Sequence, residues 1–442
     1  MIVIDPPKSL SGTLRVPGDK SISHRSIMLG AIAEGDTAVR GFLRSADCLA
    51  TMDCFRRMGV RIEERTDSGP SSEGRSDESV LVIHGRGLHG LTGADGLLLD
   101  AKNSGTTVRL MSGILAGQPF MSRITGDASL SSRPMGRIIR PLEQMGIRCV
   151  SEHGDGRLPI SVYGGRPKAI RYASPIASAQ VKSCVLLAGL YADDPTFYTE
   201  PVLSRNHTEL MLGAFGGNLK TRIQADGSAT TILYPGTILK GQSVTVPGDI
   251  SSAAYFLAAG LLVRDARVTL THVGINETRD GILRVIQAMG GDLTIRNVRI
   301  EGREPVADLT VSSSKLHGTV IGGSLIPTLI DELPVIAVMA AQAEGDTVIR
   351  DAGELRVKES DRLAAITKNL RSMGIAVEET PDGMTIHGGR LKGARIDPLG
   401  DHRLAMAFTV AGLVSSTPTV ILDESCVRIS YPSFFEDLRS LT

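Results

Sequence analysis

A polar helix-starting residue is followed, again and again along this chain, by a helix-length run of small and apolar side chains. The starts read Asp19-Lys20-Ser21, Asn103-Ser104-Gly105, Ser178-Ala179-Gln180, Asp249-Ile250-Ser251, Asp331-Glu332-Leu333 and Asp401-His402-Arg403. They recur at intervals of roughly 70–85 residues, which marks an internal repeat. Each run leads to a predicted turn at a glycine: Gly35, Gly117, Gly189, Gly260, Gly345 or Gly412. Short Thr- and Val-rich strands follow, such as Thr37-Ala38-Val39 and Thr347-Val348-Ile349. A second, amphipathic helix then ends in Met58-Gly59, Met145-Gly146, Phe215-Gly216, Met289-Gly290 or Met373-Gly374. Glycine suits the first position beyond a helix because it takes the left-handed conformation there without strain. Alternating stretches such as Val80-Leu81-Val82-Ile83 and Met384-Thr385-Ile386 close the unit as strands.

The predicted unit is therefore strand, helix, strand, helix and one or two strands, repeated six times in an α/β chain of 442 residues. Val16-Pro17-Gly18-Asp19 returns as Val246-Pro247-Gly248-Asp249 at the head of the fourth unit. The paired copies predict two three-unit domains joined by two chain crossings, one domain 1–16 plus 247–442 and the other 17–246. The stretch from Thr66 to Ser79 is rich in Gly, Ser and acids and predicts a loop without chemistry.

Composition narrows the function. Lys plus Arg and Asp plus Glu both number 48, so the formal charge is zero. That balance argues against a bulk nucleic-acid or membrane-surface binder while leaving room for a local basic cleft. Aromatic residues are 4% and Trp is absent, which disfavours bases or sugars stacked on rings. The five cysteines form no C-x-x-C pair and read as reduced thiols. No basic region followed by an apolar segment opens the chain, and Leu404–Val414 is too short to span a bilayer. A soluble cytoplasmic protein is expected.

Gly85-Arg86-Gly87-Leu88-His89-Gly90 matches G-x-G-x-x-G but opens no predicted helix, and His387-Gly388-Gly389-Arg390 recurs at the same place in the fifth unit. A repeated strand-end turn accounts for both better than a dinucleotide fingerprint. The helix starts are more informative. A helix N-terminus offers unpaired N–H groups and the positive end of a dipole to phosphate or carboxylate. Lys20 just before one helix, with Arg25 a turn further in, adds cations; Gly105 allows close approach to backbone; and Ser178, Gln180 and Lys182 add hydroxyl, amide and cation. Arginine-dense loops precede the second helices at Arg133, Ser204-Arg205 and Arg356–Arg362. Converging cations in a neutral protein imply small polyanionic substrates, since guanidinium suits phosphate and carboxylate.

Taken together, Val16–Arg25, Asn103–Arg109, Arg133-Pro134-Met135-Gly136, Leu355–Arg362 and Asp401–Ala407 resemble the enolpyruvylshikimate phosphate synthases, the 3-phosphoshikimate 1-carboxyvinyltransferases. The likeness runs through the whole chain in order, and Ser178-Ala179-Gln180-Val181-Lys182-Ser183 resembles the second bacterial class. The resemblance implies the enolpyruvyl transferase fold, two inside-out α/β barrel domains each of three β-α-β-α-β-β units with the active site in the crevice between them. It implies transfer of the enolpyruvyl group of phosphoenolpyruvate to shikimate 3-phosphate with release of phosphate, with no metal or organic cofactor, and glyphosate as inhibitor. A monomer without nucleic-acid or membrane partners is expected.

By motif, Lys20, Ser21, Arg25, Ser178, Ala179, Gln180, Ser204, Arg205, Asp331 and Lys358 resemble the shikimate 3-phosphate site. Lys20, Gly105, Arg133, Gln180, Arg362 and Arg403 resemble the phosphoenolpyruvate site. Asp331 and Glu359 resemble the acid–base carboxylates, with Lys20 as a further proton-transfer group. Two positions depart from the family: Ser425 stands where first-class members carry Lys, and His24 where many carry Asn. UDP-N-acetylglucosamine enolpyruvyl transferase would need a loop cysteine that Asp127–Arg133 lacks. The motifs of RNA 3′-phosphate cyclase do not occur. A non-catalytic repeat scaffold leaves the charged helix starts unexplained.

Overall fold

The structure is a computed structural model that describes residues 1–66 and 79–442. The loop expected between Thr66 and Ser79 therefore lies outside the described residues apart from its two ends. Contacts divide the chain into two compact units, Met1–Pro17 with Pro247–Ile300 and Pro305–Thr442, and Gly18–Val246 with Glu301–Glu304.

One sheet explains the rest. Leu97–Asp100 runs parallel to Met121–Thr125, which pairs antiparallel with Ile160–Tyr163, itself antiparallel to Arg148–Ser151. The parallel pair needs a long crossover, and the helix Gly105–Leu115 supplies it; the antiparallel pair needs only a turn. Among the described residues four more four-stranded sheets repeat this order, and the sixth sheet has three strands. Three sheets take a strand from a distant part of the chain. Ser243–Thr245 lies parallel to Asp36–Arg40, Ser11–Leu14 parallel to Arg267–Leu270, and Ile2–Ile4 antiparallel to Thr419–Ile421.

In each unit the crossover helices are buried on nearly every side, so they lie in the core. Lys20–Ile32, Gly105–Leu115 and Ala179–Gly189 serve the Gly18–Val246 unit. Ile250–Leu262, Leu333–Ala341 and His402–Leu413 serve the other. The second helices end as expected, with Gly59, Gly146, Gly216, Gly290 and Gly374 all at positive φ.

Three of the expected turn glycines are not in turns. Gly189, Gly260 and Gly412 lie within their helices. The reason is helix-on-sheet packing. A Cβ at Gly189, Gly260 or Gly412 would sit 3.0–3.2 Å from the Cβ of Thr196, Val268 or Thr419 on the adjoining strand. Gly30 meets Thr37 in the same way. The G-x-G-x-x-G stretch opens no helix; the strand Ser79–His84 ends and a turn follows. Among the described residues no single helix is long and apolar enough to cross a membrane.

Candidate active site

Five of the six repeated helix starts cap themselves. Asp19 accepts from Ile22 N (2.8 Å), Ser104 from Thr107 N (3.1 Å), Ser178 from Val181 N (3.4 Å), Asp249 from Ser251 N (2.8 Å) and Asp401 from Arg403 N (2.9 Å). Such a side chain satisfies one of the orphan N–H groups of the first turn.

Asp331 is the exception. The helix that follows it runs from Leu333 to Ala341, with Glu332 at the capping position and no side-chain cap. The chain bends by 111° between Gly323–Leu329 and Leu333–Ala341, and Asp331 sits at that break. Its carboxylate faces three cations instead: Oδ1 lies 3.6 Å from Lys358 Nζ and 3.6 Å from Arg362 Nη1, and Oδ2 lies 3.8 Å from Arg403 Nη2. Arg403 Nη1 also donates to the Asp331 carbonyl at 3.2 Å.

The cations around Asp331 are themselves held. Arg362 is fully buried and donates from Nε to Asp401 Oδ2 (2.8 Å) and from Nη2 to Glu359 Oε2 (2.7 Å). Its Nη1 has no hydrogen-bond partner and is the nitrogen nearest Asp331. Burial works against the Arg362 charge, but Asp401 and Glu359 outweigh it and raise the pKa above the ordinary arginine value. Burial likewise opposes the charge of Arg403, and Asp331 outweighs it. Burial pushes Asp401 upward, but Arg362 prevails and holds the carboxylate below its usual range. Lys358, Glu359, Arg362, Arg403 and Asp331 are thus brought together in one unit. Ser425 spends its hydroxyl on Asp423 at 2.6 Å.

The Gly18–Val246 unit gathers the other candidates. Lys20 is the first residue of its helix rather than preceding it, and it is ion-paired with Asp47. Arg25 is buried and donates to Thr208 Oγ1 (2.7 Å), Ser183 Oγ (2.9 Å) and the Ser21 carbonyl (3.0 Å). Burial lowers its pKa to about 10, with Glu209 pulling the other way, so it stays cationic at neutral pH. Gln180 bridges two helix starts, accepting from Arg109 Nη1 (2.8 Å) and donating to Thr106 Oγ1 (3.2 Å) beside Gly105. Arg133 donates to Asn103 Oδ1 at 2.9 Å. Ala179 opens the helix capped by Ser178. Ser204 is buried, and Arg205 stands in the loop leading to the helix His207–Ala214.

Lys182 does not supply the free cation its place near a helix start suggests. Its ammonium is fully buried, 2.8 Å from Glu200 Oε1, 2.7 Å from Glu209 Oε1 and 3.0 Å from the Ser204 carbonyl. It ties the loop carrying Ser204 and Arg205 to two neighbouring elements. Glu200, Glu209 and Asp47 carry no mark in the sequence, because nothing local reveals an acid whose partner is distant. Asp401, a helix start and motif residue in the sequence, both caps its helix and anchors Arg362.

All five cysteines are free and buried. Burial raises Cys48, Cys54, Cys149 and Cys426 to about 12 and Cys184 further. Such thiols are protonated and unreactive, so cysteine chemistry has no place here. Among the described residues no cluster of His, Cys, Asp and Glu fits a metal ion.

The sequence profile of EPSP synthase (3-phosphoshikimate 1-carboxyvinyltransferase) matches residues 4–438. The chain is 53% identical over 439 residues to the 3-phosphoshikimate 1-carboxyvinyltransferase of Desulforudis audaxviator, covering 99% of this chain and 98% of that one. It is 49% identical over 437 residues to the Brevibacillus brevis enzyme of the same name, with the same coverage. The solved EPSP synthase of Acinetobacter baumannii superposes with a TM-score of 0.86 at 45% identity, covering 99% of this chain and 97% of that one. The fold is the two-domain enolpyruvyl transferase fold, and the chain belongs to the EPSP synthase family.

Proposed function

We propose that this chain transfers the enolpyruvyl group of phosphoenolpyruvate to the 5-hydroxyl of shikimate 3-phosphate and releases phosphate, a step toward chorismate and the aromatic amino acids. Support comes above all from Asp331, a carboxylate left out of helix capping and faced by Lys358, Arg362 and Arg403. We further propose that both constellations act on one pair of substrates. Lys20, Ser21, Arg25, Ser178, Ala179, Gln180, Ser204, Arg205 and Lys358 would hold shikimate 3-phosphate. Lys20, Gly105, Arg133, Gln180, Arg362 and Arg403 would hold phosphoenolpyruvate. The enzyme is proposed to act as a cytoplasmic monomer; its thiols are all free, as a reducing compartment leaves them.

The chemistry is addition followed by elimination. The Asp331 carboxylate accepts the 5-hydroxyl proton as that oxygen bonds to C2 of phosphoenolpyruvate. The electron pair of the C2=C3 bond takes up a proton at C3, giving a tetrahedral intermediate. The C2–O bond to phosphate then breaks, and loss of a C3 proton restores the double bond. Glu359 and Lys20 are the groups proposed for the proton at C3, each a residue type that exchanges protons in general acid–base catalysis. In a phosphate-release assay, both substrates together should yield phosphate, and omission of either should abolish release. Release from phosphoenolpyruvate with UDP-N-acetylglucosamine in place of shikimate 3-phosphate would overturn the assignment.

Glyphosate should inhibit competitively with phosphoenolpyruvate, because Gly105 brings no side chain to its helix start. A Cβ there would lie 2.7 Å from Arg109 Nη1, the group that holds Gln180. Gly105→Ala therefore crowds Arg109 and disturbs its hold on Gln180. The substitution should weaken glyphosate more than phosphoenolpyruvate, by roughly 1–3 kcal/mol, as overpacking penalises the larger occupant. Inhibition constants for wild type and variant at saturating shikimate 3-phosphate check this; equal losses for the two ligands would show that another residue sets the fit.

A further inference from the structure

His24 ends a chain of buried hydrogen bonds that joins two helix starts of the Gly18–Val246 unit. His24 Nδ1 lies 2.7 Å from Thr51 Oγ1, and Thr51 Oγ1 lies 2.6 Å from Thr107 Oγ1. Thr107 Oγ1 donates to Ser104 Oγ at 2.7 Å. All four side chains are fully inaccessible to solvent. Ser104 is also the cap of the helix that begins at Gly105.

The direction of each bond follows from counting protons, since a hydroxyl carries one. Thr107 spends its proton on Ser104, so it accepts from Thr51. Thr51 spends its proton on that 2.6 Å bond rather than on the Asp47 carbonyl 3.4 Å away, so it accepts from His24. His24 must therefore carry its proton on Nδ1. Nε2 is left as a buried acceptor without a partner. Burial holds the ring pKa down near 3, so the ring is neutral throughout the working range.

The chain runs one helical turn beyond the Lys20–Asp47 ion pair. Lys20 and His24 are four residues apart on one helix, and Asp47 and Thr51 four apart on the next, so both contacts lie on the same two faces. We infer that His24 is a positioning residue for phosphoenolpyruvate: through Thr51, Thr107 and Ser104 it fixes the Gly105 helix start in register with the Lys20 helix start. This rests on the function proposed above. Arg25 and Ser183 belong to a separate set of hydrogen bonds, so the shikimate 3-phosphate side should be largely untouched. Asparagine offers a donor at the same δ position and can make the bond to Thr51; leucine cannot.

Two measurements test the inference. Nitrogen-15 NMR, with His24 assigned by its loss in His24→Asn, should show a neutral ring protonated on Nδ1 from pH 5 to pH 9. An Nε2–H ring, or one that titrates in that range, overturns it whether or not the enzyme turns over the expected substrates. In steady-state kinetics, His24→Leu should raise KM for phosphoenolpyruvate about tenfold, the order expected when a remote change shifts a binding element. KM for shikimate 3-phosphate should change less than twofold, and His24→Asn should restore most of the loss. If His24→Leu does not fold, Thr51→Val breaks the same chain and should give the same selective rise. An unchanged KM for phosphoenolpyruvate, or equal rises for both substrates, would reduce His24 to a packing residue.

Discussion

Asp331→Asn is expected to lower turnover by roughly two to four orders of magnitude, the usual contribution of a positioned general base. The substitution keeps size and shape and removes only the charge and the basicity. Because Asp331 caps no helix, loss of a cap cannot be the source of the defect. Its removal leaves Lys358, Arg362 and Arg403 facing a neutral amide, with one negative charge fewer to compensate them. Binding of the anionic substrates should therefore be kept or slightly tightened while turnover collapses. That split separates a base from a ligand. The measurement is single-turnover phosphate release together with shikimate 3-phosphate affinity for both proteins. Near-normal turnover in the variant would remove Asp331 from the chemistry and leave it as a counter-ion to three cations.

The second large effect concerns stability. Lys182→Met should destabilise the fold by about 3–5 kcal/mol, because it removes the buried ammonium that both Glu200 and Glu209 contact. The methionine fills nearly the same volume, so a cavity is not the cause. The loss should be recovered in large part when Glu200→Gln and Glu209→Gln are added, since neutral amides cost far less to bury than unpaired carboxylates. Urea unfolding of the wild type, the single variant and the triple variant decides this. A single variant within about 1 kcal/mol of wild type would mean that water reaches the two carboxylates when the lysine is gone. Activity adds a second readout, because Lys182 also bonds the Ser204 carbonyl and thus the loop bearing Ser204 and Arg205.

The six-fold repeat and the helix caps were legible in the sequence because each rests on short-range physics, whereas the candidate ligands came from the resemblance of motifs. A capping side chain bonds an N–H two or three residues on, as Asp19 does with Ile22 and Ser104 with Thr107. A glycine after a helix is needed for local φ, as at Gly59 and Gly374. The glycines misread as turns show the limit of that reasoning. At Gly189, Gly260 and Gly412 the missing side chain makes room for a strand, and only packing reveals which strand lies there.

Charge shows the same limit more sharply. Asp331 and Asp401 look alike in sequence, each a polar residue opening an apolar helix. Asp401 caps its helix and anchors Arg362, 39 residues away. Asp331 sits at a bend and faces three cations, one of them on a residue 72 positions further along the chain. Lys182 and Arg25, both cations within a few residues of a helix start, are likewise told apart only by what surrounds them: two carboxylates for the first, hydroxyls and a carbonyl for the second. Sequence by itself determined the repeating unit, the helix starts and the kinds of side chain offered there, since backbone geometry and capping act within one turn. Tertiary structure decided which charges are spent within the protein core and which gather at the candidate site, because pairing depends on distance in space and on burial, and neither is set by neighbours in the chain.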